Sequence, residues 1–283
     1  MLIPFKYSPY PLTNKKDAEK FFDVKNEDGR HAHNSPRGGI LWEDTTYSDN
    51  RVLISIPANF DKKRTPTIVI FLHGNQSTLE RDVIARQKIP EQIAAANINA
   101  ILIAPQFAVD ALDSNSGNFA RRNYFSRFIT EASLRISHWQ NSYQLKSQLE
   151  KAPIIIVSYS GGYLATAHIL SKGSISTRIK GVILMDSLYG QEDVFAKWLK
   201  QHHKNTFFFS TYSEPARATN EHLQYLLREK NLSVDTNIPE FLRKNTISFF
   251  KLDENIKHED LLTNAWTEEP VADLLRKINM NKN

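Results

Sequence analysis

Apolar positions fall into two rhythms along the chain. One is continuous: "TPTIVIFLHG", "NAILIAPQ", "PIIIVSYS", "IKGVILMDSLYG", "TFFFSTY" and "TISFFKLD" are runs of aliphatic or aromatic residues punctuated by Gly, Pro, Asn, Ser or Asp. Such runs predict strands buried on both faces. The other rhythm has helical spacing. It covers "TLERDVIARQKIPEQIAAAN", with Pro90 as a break or fresh start, and a long helix from about Tyr124 to Lys151. Further helices are predicted near Gly162, Asp193 to His203, Ala216 to Lys230 and Pro270 to Ile278. Strands alternating with helices predict a mostly parallel central sheet of about eight strands with helices on both faces, an α/β fold. "GILWEDTTY" and "RVLISIPANF" are expected to open it as an antiparallel pair. Residues 1–38 have no sustained period and read as an irregular lead-in over the core. Residues 39–283 contain no repeat, linker or second core and read as a single domain.

Composition narrows the function classes. At 41% hydrophobic and 11% aromatic residues, the chain can bury a sizeable core. Its net charge of +5 arises from 36 basic against 31 acidic residues, with no dense Lys/Arg tract, so a nucleic-acid partner is not expected. No apolar run reaches the roughly 18 residues of a membrane span. The start, "MLIPFKYSPYPL", lacks the features of a signal peptide, although removal of an earlier leader from an exported protein stays open. With no cysteine, disulfides, thiolate nucleophiles and cysteine-based zinc sites are excluded. His31, His33, His202 and His203 lack a convincing third ligand; neither a metal nor another cofactor is expected.

The chemistry should stand at the carboxyl ends of the predicted strands. Those ends carry His73-Gly74-Asn75-Gln76, Pro105-Gln106, Ser158-Tyr159-Ser160-Gly161-Gly162, Asp186-Ser187 and Ser213-Glu214, with His258 after the last strand. The stretch "IIIVSYSGGYLA" passes from strand to helix with almost no room to turn, which pushes a serine hydroxyl out at the top of a sheet. Serine, acid and histidine follow one another along the chain. A serine hydroxyl is a weak nucleophile at neutral pH and needs a base; imidazole, with an ordinary pKa of about 6.5, can supply it.

Through "FLHGN", "SYSGG", the strand–helix alternation and "KHEDL", residues 40 to 280 resemble the α/β-hydrolase superfamily. Ser158 stands where that family's G-x-S-x-G elbow has its first glycine. The stretch "HGNQSTLERDVIARQKIPEQI…APQFAVD" is similar to a group of uncharacterised bacterial hydrolase-like proteins, which names no substrate. The resemblance implies a serine hydrolase acting on an ester, thioester or amide. Ser160 is then the nucleophile and His258 the base. The orienting acid is Asp186, the more rigidly held candidate, or Glu214. It further implies oxyanion donors at Gly161 and in the loop after "FLHG", at Asn75 or Gln76.

Gln76, Gln106, Arg121 and Arg122 are candidates for substrate contact. The loop from Ala108 to Asn123 is expected at the entrance, with its arginines meeting a negatively charged group. A non-catalytic binding protein on the same fold is the competing reading. The expected partner is a small-molecule or acyl substrate, and nothing in the sequence sets the oligomeric state.

Overall fold

The computed structural model describes residues 1–279. In chain order the strands are β1 (Leu2–Pro4), β2 (Val24–Lys25), β3 (His31–Ser35), β4 (Gly39–Trp42), β5 (Arg51–Ser55), β6 (Thr67–Leu72), β7 (Ala100–Pro105), β8 (Ile154–Tyr159), β9 (Ile179–Met185), β10 (Phe207–Tyr212) and β11 (Ile247–Lys251). The helices are α1 (Lys15–Phe21), α2 (Glu43–Thr46), α3 (Ile89–Ala95), α4 (Tyr124–Trp139), α5 (Tyr143–Lys151), α6 (Tyr163–Lys172), α7 (Glu192–His202), α8 (Arg217–Arg228) and α9 (Pro270–Arg276), with a π-helical segment over Leu79–Arg86.

Eight strands form the main sheet in the order β1-β5-β7-β6-β8-β9-β10-β11. Pairing is parallel from β7 to β11 and antiparallel at β1–β5 and β5–β7. Successive side chains of a strand point to opposite faces, so each continuous apolar run feeds two cores. Ile68, Ile70, Ile154, Ile156 and Val182 face helices α4 to α8. Val69, Phe71, Ile155, Val157 and Ile183 face the other layer, which holds the π-helical segment, α3 and α9.

Three expectations are corrected. "GILWEDTTY" does not pair with "RVLISIPANF": β4 belongs to a separate antiparallel sheet, β2-β3-β4. The turn between Ser35 and Gly39 folds β4 back on β3, and Gly39 takes φ 68°, a conformation that favours glycine. The partners of β5 are β1, with Leu2 opposite Leu53, and β7 on its other side. The lead-in is therefore not irregular throughout: it supplies an edge strand of the main sheet, α1 and two strands of the small sheet. Finally, the stretch from Tyr124 to Lys151 is two helices. Asn141 takes φ 45°, and the Ser142 hydroxyl accepts from Leu145 N to start α5 afresh.

Candidate active site

The site lies at the carboxyl edge of the parallel strands. Strand β8 runs straight into a single tight turn over Ser160–Gly162, followed at once by α6. Ser160 takes φ 51°, a left-handed conformation that is costly for a side-chain-bearing residue and frequent at functional sites. The turn leaves no space at its neighbours. A Cβ on Gly74 would sit 2.7 Å from Ser160 Cβ, and one on Gly161 would collide with the Asn75 side-chain amide. At the position where glycine opens the usual elbow, Ser158 is tied into the structure. Its Oγ lies 2.8 Å from Ser187 Oγ, which donates to Ser160 O at 2.7 Å. This buried relay joins β8 to the tip of β9.

That tip carries Asp186, fully buried and at φ 46°. His258 Nδ1 donates to its Oδ2 at 2.7 Å. Ser213 adds two bonds, from its backbone N–H to Oδ1 at 2.9 Å and from its hydroxyl to Oδ2 at 2.6 Å, and Tyr189 OH donates to Oδ2 at 3.2 Å. Burial alone would raise the Asp186 pKa; the bonds from His258 and Ser213 outweigh it and hold the carboxyl below its ordinary value. The group is built to stay charged. His258, in a turn after β11, is held from a second side by Tyr159: the rings stack at 4.9 Å, and Tyr159 OH donates to His258 O at 2.8 Å. Tyr159 and Ser213 stand among the strand-end residues read from sequence but received no role there, and Tyr189 was not singled out. The tyrosines' places beside the candidate serine and acid were the available signals.

The remaining candidates separate. Glu214 is exposed and paired with Lys251 at 3.0 Å and Arg217 at 3.3 Å, away from His258. Gln106 is not a substrate contact: it is fully buried, with its amide spent on Leu79 N (2.9 Å), His73 Nε2 (3.0 Å) and Ser77 O (3.1 Å). It braces the loop after β6. Arg121 turns to the N-terminal segment, donating to Thr13 Oγ1 at 2.9 Å and pairing with Asp17 at 3.6 Å; Arg122 is exposed, and neither lines the cleft. From the same loop, Leu112 to Asn115 do line it. His33 stacks on Phe21 and bonds its carbonyl at 2.9 Å, a packing role.

Ser160 and His258 share one cleft of about 1060 Å³, which also receives Asn75, Gln76, Tyr163 and Tyr189. No family model and no curated protein matches this chain. Among solved structures, a mutant feruloyl esterase module from Clostridium thermocellum, complexed with sinapinate, superposes with a TM-score of 0.52 at 10% identity, covering 97% of this chain and 96% of that one. An S-formylglutathione hydrolase from Agrobacterium tumefaciens gives a TM-score of 0.47 at 11% identity over 83% and 90%. The architecture, the strand order and the first of these likenesses agree. The fold is that of an α/β-hydrolase.

In this hydrolase fold the loop after β6 takes its shape from a buried histidine. His73 Nδ1 donates to Gly74 O at 2.7 Å, while Nε2 accepts from Phe107 N at 2.9 Å and from Gln106. Burial pushes the His73 pKa down to about 4, so the ring is a neutral brace. Of the loop amides, Gln76 N–H is taken by Ala111 O at 2.9 Å. The Asn75 side chain is enclosed by Ser114, Asp113 and Arg37. Turned with its oxygen 2.6 Å from Arg37 Nη2 and its nitrogen 3.1 Å from Asp113 O, its amide is satisfied at both ends. Asn75 thus has its backbone N–H, not its side chain, to offer a ligand. Arg37, from the turn between β3 and β4, is a cleft cation that sequence reasoning missed.

Proposed function

We propose that this protein is a serine hydrolase that cleaves an ester, thioester or amide through an acyl-enzyme on Ser160. The observation that carries the reading is the buried, charged Asp186 bonded to His258 Nδ1, on the same cleft as a serine held at φ 51° in a strand-to-helix elbow. With its proton on Nδ1, the imidazole has a lone pair on Nε2 to accept the Ser160 hydroxyl proton. The Ser160 oxygen bonds to the substrate carbonyl carbon, and the carbonyl electrons move onto oxygen. The backbone N–H groups of Gly161 and Asn75 are assigned to hold that oxyanion. Its collapse expels the alcohol, thiol or amine, which takes the proton from His258. Water, deprotonated by the same ring, then releases the acid and restores Ser160. Asp186 keeps the ring in this tautomer and stabilises the imidazolium formed at each step.

A fluorophosphonate probe tests the assignment. The wild type should be labelled on Ser160 and should turn over p-nitrophenyl esters. Ser160→Ala should lose labelling and at least about a thousandfold in turnover while melting like the wild type. Undiminished turnover in that variant refutes the nucleophile. No labelling and no turnover by the wild type would instead favour a non-catalytic binding protein.

A further inference from the structure

The opposite edge of the sheet is also a defined site, and no step of the chemistry above uses it. Six parallel strands, β7-β6-β8-β9-β10-β11, start side by side there. The segments leading into them enclose a concavity of about 960 Å³. Its charged lining residues are Arg64 ahead of β6, Lys151 ahead of β8, Arg178 and Lys180 flanking the first residue of β9, and Lys244 ahead of β11. No aspartate or glutamate is among its lining residues within the described chain. The cations are spread from position 64 to position 244, which is why the sequence shows no basic tract; the parallel topology gathers them.

The surroundings do little to cancel this charge. Arg178 donates to Ala152 O at 3.1 Å and Leu149 O at 2.7 Å, and Lys180 donates to Thr177 O at 2.7 Å, all neutral carbonyls. Glu150, whose field reaches Arg178, pairs with Lys146 at 3.8 Å. Like charges around one concavity repel, and a low-dielectric wall concentrates their field on whatever enters. Threonine hydroxyls (Thr65, Thr67 and Thr177) add donors to the rim, whereas the Asn99 amide is spent on the carbonyls of Asp61 and Arg64 at 3.1 Å each. Such a lining suits an acceptor-only ligand with several negative charges; near neutral pH a lone sulfate or phosphate brings no more than about two. Ile98, Pro153 and Ile155 supply an apolar wall for an uncharged body.

We propose that this amino-terminal edge binds the polyphosphate group of a small organic phosphate of nucleoside di- or triphosphate type. The shared chemistry is a run of linked phosphates held by ammonium groups and guanidinium forks.

Calorimetric titration of the full chain at low ionic strength, with sodium tripolyphosphate, ATP and AMP, tests this. Tripolyphosphate and ATP should bind saturably and weaken steeply with added salt, with AMP at least about tenfold weaker. Tighter binding of ATP than tripolyphosphate points to a nucleotide as the source, and equal binding to free polyphosphate. Replacing both Lys151 and Lys244 by alanine should weaken both ligands by about tenfold or more, roughly one charge-assisted hydrogen bond. Without ligand, the variant should melt no lower than the wild type, since the change relieves repulsion. The exposed Arg64→Gln provides a second variant that leaves the sheet untouched. Ser160 labelling should be the same in all of them. The proposal falls if neither tripolyphosphate nor ATP binds, or if they bind the lysine variant and Arg64→Gln as tightly as the wild type.

Discussion

Asp186 and Glu214 follow adjacent strands of one sheet, β9 and β10, whose ends lie level, with Met185 opposite Thr211. From the sequence both acids stand just after strands, with Asp186 the more rigidly held candidate. In the structure Asp186 is fully buried and gathers bonds from His258, Ser213 and Tyr189. The side chain of Glu214 is 61% exposed and meets only surface cations among its described partners. The difference begins in the backbone. Asp186 leaves its strand at φ 46° with its N–H bonded to Thr211 O at 3.0 Å, which anchors it beside β10. Glu214 opens a single turn ahead of Pro215 and α8, so it faces water. A strand tip places a carboxylate at the rim; the kink and the donors around it decide whether it can orient a base. The buried charge is tolerated only where every donor is supplied.

Asp186→Asn should break the comparison with the largest effect. The asparagine NH₂ would face His258 Nδ1 and push the ring proton to Nε2, the wrong tautomer for a base. Turnover should fall by about ten-thousandfold, with ester affinity little changed. A pH series sharpens the test. The unfolded carboxyl protonates near about 3.9, and the folded one lower. Between those values the unfolded chain binds more protons, so the stability that Asp186 contributes is full above that range and is lost as pH falls through it. The gap in unfolding free energy between wild type and variant should be widest near neutrality and narrow below about pH 4. A gap independent of pH would show that the charge of Asp186 does not stabilise the fold.

Ser213→Ala probes the same carboxylate one bond at a time. It removes the hydroxyl donor to Oδ2 but keeps the backbone N–H to Oδ1. One charge-assisted hydrogen bond corresponds to about a tenfold effect, so kcat should fall by about that factor, with the acidic limb of the activity profile moving up in pH. Ser213→Thr, which retains a hydroxyl, should recover most of the loss. Equal activity in the alanine variant would mean that the His258 and Tyr189 contacts hold Asp186 without it.

What could be read from sequence follows the range of the interactions. The inner strands were legible because burial on both faces demands unbroken apolar runs. The Ser160 elbow was legible because only small residues permit the turn. Gln106 was misread because a polar residue at a strand tip looks available. Its partners, His73 and Leu79, lie far back along the chain, so their contact is a property of the fold alone. Arg121 was misread for a related reason: the segment it ties down, around Thr13 and Asp17, had no periodicity to place it. Arg37 was missed because the first strand and the turn of the hairpin carrying it fell within the lead-in, read as irregular. Local patterns reveal strands and turns, whereas satisfaction of a buried amide depends on long-range pairing.

Glu214→Gln should give the smallest effect, and it completes the contrast. Glu214 holds Lys251 and Arg217 on the surface, where water and salt screen the charges and two long side chains must be ordered to make each pair. Its carboxyl is kept below its ordinary value chiefly by the Lys251 bond. That perturbation reflects a surface pair and places no charge near His258. The glutamine variant should hydrolyse esters within about twofold of the wild type, since exposed pairs of this kind contribute little. Its activity profile should keep the same acidic limb. Double substitution with Asp186→Asn should give the activity of Asp186→Asn alone, because the two carboxylates share no side-chain partner among their described bonds. A large loss of turnover in Glu214→Gln, matched by retention in Asp186→Asn, would reverse the assignment and make the exposed glutamate the orienting acid.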